Sequence, residues 1–194
     1  MSIHDHLTED RFDVSALGAY LDALDQSTRV REVRTLSGRE QALLFDAAAG
    51  VRPIALGDLV APDVPPLAQV IHHGRNSLPL FHTFEKRFCR PADSPDELWG
   101  YNEHALRWLT GPGYFLARPH GKGEVLIDYL EVPPAKPDAW PAIKPNSAGG
   151  SRFVYFQTQD VLRGVSRHVT IGRDTKRGKP LDRWFVLCRS EEPP

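Results

Sequence analysis

The residues best suited to chemistry in this chain stand in the run His72-His73-Gly74-Arg75-Asn76-Ser77. His73 can exchange a proton near neutral pH. Arg75 offers a planar donor fork that fits a carboxylate or phosphate. Gly74 lets a ligand approach the backbone closely. If the run opens a helix at Leu78, unpaired N–H groups and a partial positive charge would point at the same anion. The plain alternative is a capped loop that binds nothing. On this reading Arg75 is the strongest single ligand-binding candidate, with His73 and Asn76 beside it.

A second candidate lies near the C-terminus. In a strand over Ser166–Arg173, Arg167, Val169, Ile171 and Arg173 share one face. Ser166, His168, Thr170 and Gly172 share the other, which is small and polar and suits either a wet cavity or solvent. A third is the set Tyr101, Asn102, Tyr114, Asp128 and Tyr129. Asp128 interrupts the apolar run Val-Leu-Ile-Asp-Tyr-Leu, so it is expected to be buried and paired. His73 or His168 as base, with Asp128 as its partner, would form an acid–base pair. The expected ligand-binding set is His73, Arg75, Asn76, Tyr101, Tyr114 and His168.

Other chemistries lack their signatures. Eight histidines are present, but no HExxH or paired CxxC is readable, so no metal is expected. There is no Gly-x-Ser-x-Gly elbow. Gly111-Pro-Gly113 and Gly121-Lys-Gly123 read as turns and do not extend to a phosphate-binding loop, so no cofactor is expected.

The chain has 194 residues, 25% charged and 41% hydrophobic, with a formal net charge of -1. That is enough chain for one domain with a sizeable core, and the balance argues against a general nucleic-acid binder. Charge is uneven, however. Between Arg163 and Arg183 seven bases face two acids, which leaves a polyanion-binding hairpin over 163–183 as one alternative. No run approaches the roughly 18 apolar residues of a membrane helix. The polar, acidic start and the two cysteines, Cys89 and Cys188, fit a reducing cytoplasm. Spacing alone leaves a Cys89–Cys188 bridge and the oligomeric state open.

The elements that must position these groups follow from periodicity. Leu17, Tyr20, Leu21 and Leu24 recur at helical spacing. Ser27 reads as a cap for a helix over Thr28–Leu36. Ser37 with Glu40 forms a capping box for a helix that ends at Gly50. Residues 1–50 are thus predicted to form a helical lobe. Prolines at 53, 62, 65 and 66 mark 51–95 as a connecting segment with a single turn at Leu56–Leu59. Within it, Leu80, Phe81, Phe84 and Phe88 read as a helix over 77–90, with Ser77 as cap and Pro79 in its first turn, although the aromatic content also suits a strand, and the choice for 78–90 stays open.

Residues 96–190 read as an antiparallel sheet. Its predicted strands are Glu97–Tyr101, Tyr114–Pro119, Glu124–Val132, Arg152–Gln157, Ser166–Arg173 and Arg183–Arg189, with a turn of helix at Thr158–Arg163. Fifteen of the 18 aromatic residues fall between Phe81 and Phe185, which suits either a thick core or an apolar pocket. The expected fold is α+β, one domain, with N-terminal helices on a curved, mainly antiparallel sheet that can close to a barrel. The expected function is binding of a small, partly apolar ligand carrying an anionic group. An enzyme with a His/Asp acid–base pair, of open reaction class, is the alternative.

Overall fold

The computed structural model describes residues 2–8, 11–78 and 82–191. After a 3-10 turn (Ile3–His6), β1 (Leu7–Thr8) and β2 (Arg11–Phe12) form a small ladder. Three helices follow: α1 (Val14–Asp22), α2 (Gln26–Val33) and α3 (Gly38–Ala47). Asp13 caps α1 by accepting from the Ala16 N–H at 3.0 Å. The predicted capping box opens α3, with Ser37 Oγ accepting from the Glu40 N–H and Glu40 accepting from the Ser37 N–H. The cap of α2 is Asp25, not Ser27. Its carboxylate accepts from both the Thr28 N–H and the Ser27 hydroxyl, so Ser27 lies inside the first turn. Gly50 stands three residues past the end of α3, in a turn with φ +70°.

The one-turn helix α4 (Leu56–Leu59) lies where it was expected. Eight antiparallel strands then close a barrel. They are β3 (Val70–Asn76), β4 (Thr83–Cys89), β5 (Leu98–Glu103), β6 (Phe115–His120), β7 (Glu124–Asp128), β8 (Thr158–Gly164), β9 (Val169–Lys176) and β10 (Lys179–Arg189). Consecutive strands are neighbours, and β10 closes the ring on β3 with Phe185 opposite Asn76 and Cys188 opposite His73. Two single-turn helices, α5 (Arg107–Thr110) and α6 (Ser151–Val154), lie in the long connections after β5 and β7.

Three expectations fail here. The helix over 77–90 is β4, so the connecting segment supplies two barrel strands. Residues four apart share a face in a helix but also in a strand, and Phe84, Lys86 and Phe88 all turn to the barrel interior. The predicted first-turn Pro79, with Leu80 and Phe81, lies outside the described residues. The strand at Arg152–Gln157 is α6 and a turn in which Gln157 adopts φ +61°. The strand begins instead at Thr158, where a helical turn was expected. Thr158, Asp160, Leu162 and Gly164 alternate inward, as a barrel strand requires.

The two faces of the barrel wall bury different things. Outside β9 and β10, Val169, Ile171, Val186 and Cys188 pack under Leu17, Leu21, Val33, Leu36 and Leu44 of the helical lobe. Outside β5 and β6, Trp99, Tyr101, Tyr114 and Leu116 are covered by Trp140 from the proline-rich stretch after β7. Inside, α4 plugs one end. Ile54, Leu59 and Val60 meet Phe88, Leu98, Ala117, Val125, Ile127, Leu162 and Leu187 in a continuous apolar floor. Cys89 and Cys188 are both buried, unbridged, in separate clusters.

Candidate functional site

An eight-stranded barrel is just wide enough for its side chains to fill it or for one small ligand to sit inside. Here the upper half stays open because three rings are folded flat onto glycines. Gly74 is the cross-strand partner of Phe84, Gly100 of Phe115 and Gly172 of Phe185. A Cβ at any of the three would come within 2.7 Å of the opposite ring. The rings lie where side chains on those glycines would stand, and the lumen above the floor is left clear. The resulting cavity has a volume of about 310 Å³ and opens at the end opposite α4. Phe84, Tyr129, Tyr155, Trp184 and Phe185 are the aromatic residues that line it. Asn76 and Arg183 stand at its mouth, with α5 and α6 beside them.

At the base of this cavity lies a charged cluster. Lys86 and Asn102 are cross-strand partners on β4 and β5, and Asp160 and Asp174 are partners on β8 and β9. The two pairs face one another through the lumen. The Lys86 ammonium donates to Asn102 Oδ1 at 3.1 Å, to the Tyr129 hydroxyl at 2.5 Å and to Asp160 Oδ2 at 3.1 Å. All three of its donors are thereby used. Its nitrogen also lies 4.8 Å from the Phe185 ring centre and 5.1 Å from those of Phe115 and Tyr129, inside cation–π range. The Lys86 and Asp160 side chains are only 3% and 5% exposed. Asn102 donates onward to Gly113 O and to the Tyr129 hydroxyl, which itself donates to Asp160.

Two carboxyls directly opposite on neighbouring strands repel if both are charged. Burial raises the Asp160 pKa, while the Lys86 ammonium and hydrogen bonds hold it down. Burial raises Asp174 much further, and the charge of Asp160 adds to the effect. Asp174 is thus the member that keeps the proton and donates it to Asp160. The cluster then carries one positive and one negative charge, with a neutral acid that keeps part of its surface on the cavity. Burial also pushes up the Tyr129 and Tyr155 hydroxyls. At the rim, His104 Nε2 lies 3.1 Å from the Tyr155 hydroxyl and 3.2 Å from Thr110 Oγ1. Ser151 Oγ donates to Thr110 O at 2.8 Å, tying α6 to α5.

Of the six expected ligand-binding residues, one, Asn76, lines this cavity. The His72–Ser77 run is a strand that opens no helix, so the helix-dipole argument for Arg75 has no basis. Alternation puts His73 and Arg75 on the outer wall, where His73 Nδ1 lies 3.6 Å from Glu85. Tyr101 and Tyr114 face outward under Trp140, and the Tyr114 hydroxyl donates to Pro141 O. His168 lies in the turn between β8 and β9, 3.6 Å from Glu191.

Asp128 is buried, as expected, but on the outer side of β7, where it accepts from the Leu130 N–H at 2.9 Å. It pairs with neither histidine, so the structure does not assemble the supposed acid–base pair. The bases of 163–183 are also dispersed: Arg163 pairs with Glu124, Arg173 with Asp182, and Arg183 stands at the cavity mouth.

Asn102 and Tyr129, named among the central-strand groups, do belong to the cluster. Lys86, Asp160 and Asp174 were missed. For Asp174 a signal existed: the polar alternation Thr170, Gly172 continues one step further to it. Among the described residues no group of three His, Cys, Asp or Glu is placed to hold a metal ion, and no helix is long and apolar enough to cross a membrane. No protein family matches the chain, and no curated protein or solved structure is similar to it.

Proposed function

We propose that the barrel lumen binds a small, partly apolar ligand, with an anionic group of that ligand meeting Arg183 at the mouth. The observation that carries this reading is the aromatic-walled cavity with a few placed polar groups at its base, the usual form of a small-molecule site. Lys86 is not the anion's partner, because its three donors are already engaged. Arg183 is exposed at the rim of the cavity. Two buried, unbridged cysteines support a reducing compartment, the cytoplasm, as the place of action.

Fluorescence titration with two probes tests the reading. N-phenyl-1-naphthylamine is apolar and neutral, and 8-anilinonaphthalene-1-sulfonate adds an anion to a similar body. Both should bind the native protein, and both should be lost when Leu106→Trp and Val154→Trp together narrow the mouth. Arg183→Ala should weaken the sulfonate by about tenfold, the scale of a hydrogen bond to a charged group, and leave the neutral probe unchanged. Binding that survives a narrowed mouth would place the probes elsewhere and defeat the reading.

A further inference from the structure

We propose that Lys86 is a covalent capture site, whose amine condenses with the carbonyl group of a small apolar aldehyde or ketone in the lumen to give a protonated imine. This rests on the lumen-binding reading and names a ligand class for it. Three observations point this way. Lys86 lines the cavity at its base with its side chain 3% exposed, so a carbonyl carbon in the lumen reaches its nitrogen by replacing one of its three hydrogen-bond contacts. Proton-handling groups flank that nitrogen: Asp160 at 3.1 Å, the Tyr129 hydroxyl at 2.5 Å, and Asp174 behind Asp160. The surrounding rings of Phe84, Phe115, Tyr129 and Phe185 form a box for a cation. A structural role explains the cluster poorly, because a buried Lys–Asp pair is often no more stabilising than an apolar pair of similar volume.

The chemistry balances without any further reagent. Asp160 takes a proton from the Lys86 ammonium. The freed amine lone pair attacks the carbonyl carbon, a C–N bond forms, and the oxygen takes the proton of Asp174. Loss of a second proton from nitrogen and protonation of the hydroxyl through the Asp160–Asp174 pair break the C–O bond and release water. The ammonium and the carbonyl compound become an iminium and water, and the net charge does not change. The product cation occupies the position of the ammonium, still opposite Asp160 and inside the same rings. The cluster is therefore arranged for the product as well as for the free lysine.

Trans-cinnamaldehyde, small, apolar and conjugated, is the probe. The full chain is incubated with one equivalent at neutral pH, the absorbance is followed, the product is reduced with borohydride, and the adduct is located by peptide mapping. The expected result is a red-shifted band and a single reduced adduct on Lys86, with Lys122, Lys136, Lys144, Lys176 and Lys179 unmodified. Lys86→Arg, whose guanidinium does not form the imine, should abolish the adduct. Asp174→Asn, which cannot supply the proton, should slow adduct formation at least tenfold and keep it at Lys86. If cinnamaldehyde displaces the naphthylamine probe but leaves no adduct on Lys86, the covalent proposal is overturned and the binding reading stands. Adducts spread over the surface lysines at equal rates also overturn it. If cinnamaldehyde neither displaces the probe nor forms an adduct, the covalent proposal is overturned, and the binding reading falls with it only where the probe also survives the narrowed mouth.

Discussion

The two ends of the barrel are built from the same strands and to opposite rules. At the α4 end, inward positions carry Phe88, Leu98, Ala117, Val125, Ile127, Leu162 and Leu187, packed against Leu59 and Val60. At the open end, inward positions one or two pleats further along carry Lys86, Asn102, Tyr129 and Asp160. One half spends its inward residues on close packing, where each buried side chain contributes stability. The other leaves a cavity and accepts buried charge. The comparison teaches that stability and chemistry are separated by one or two pleats of the same sheet, not by domain or element.

The contrast can be broken most directly at the floor. Phe88→Ala should lower stability by about 3–5 kcal/mol, the range for deleting a buried ring, as read from urea denaturation. A loss below about 1 kcal/mol would mean that the floor does not hold the barrel together.

At the open end the sign depends on which partner is removed. Asp160→Asn leaves the Lys86 ammonium buried without a counter-charge and should cost about 3 kcal/mol. The double variant Lys86→Met, Asp160→Asn should recover most of that loss in the same assay, because no uncompensated charge remains. If the double variant is as unstable as the single one, the ion pair is structural in its own right.

The two ends should also respond to pH in opposite directions. At the floor, His72 is buried with its Nε2 2.9 Å from Leu59 O, and burial lowers its pKa from 6.5 to about 3. Below pH 6.5 the unfolded chain binds a proton that the folded chain refuses. Stability should therefore fall as pH drops from 6.5 towards 3, by at most about 1.4 kcal/mol per unit. Asp160 and Asp174 are raised from 3.8, so the folded chain holds protons that the unfolded chain has released. Their contribution falls as pH rises above 3.8 towards the folded values. Thermal melts across pH 4–9 should show Asp174→Asn gaining on the parent as pH rises, and His72→Gln losing the acid-side slope. Parallel curves for all three proteins would contradict both assignments.

The smallest effect belongs to the rim. Trp108 and Phe153, each 81% exposed on α5 and α6, should tolerate Ser with stability changes within about 0.5 kcal/mol. A larger loss in the melt would show that these turns brace the cylinder.

The helical lobe was readable because caps and a 3.6-residue repeat are local signals, as Ser37, Glu40, Leu17 and Leu21 show. The antiparallel sheet was readable from turns such as Gly121-Lys-Gly123. The charged cluster was not, for a physical reason. Lys86 lies midway between Phe84 and Phe88, whose spacing of four fits a helix and a strand alike, and only pairing with β3 and β5 decides between them. Asp160 and Asp174, 14 positions apart, become opposite partners only through the register of β8 and β9. Arg75 misled because its flanking Gly and Asn look like a turn, while Gly74 is there to receive the ring of Phe84.

Closure of β10 on β3 has a consequence for how the molecule is made. The first and last strands of the cylinder are more than a hundred residues apart in the chain, and long-range pairings of this kind slow folding. The helices bury their apolar sides against β9 and β10, which are synthesised more than a hundred residues later. During translation Leu17, Leu21, Val33 and Leu44 therefore wait for a surface that does not yet exist, and the nascent chain is most exposed to aggregation just before the final hairpin emerges.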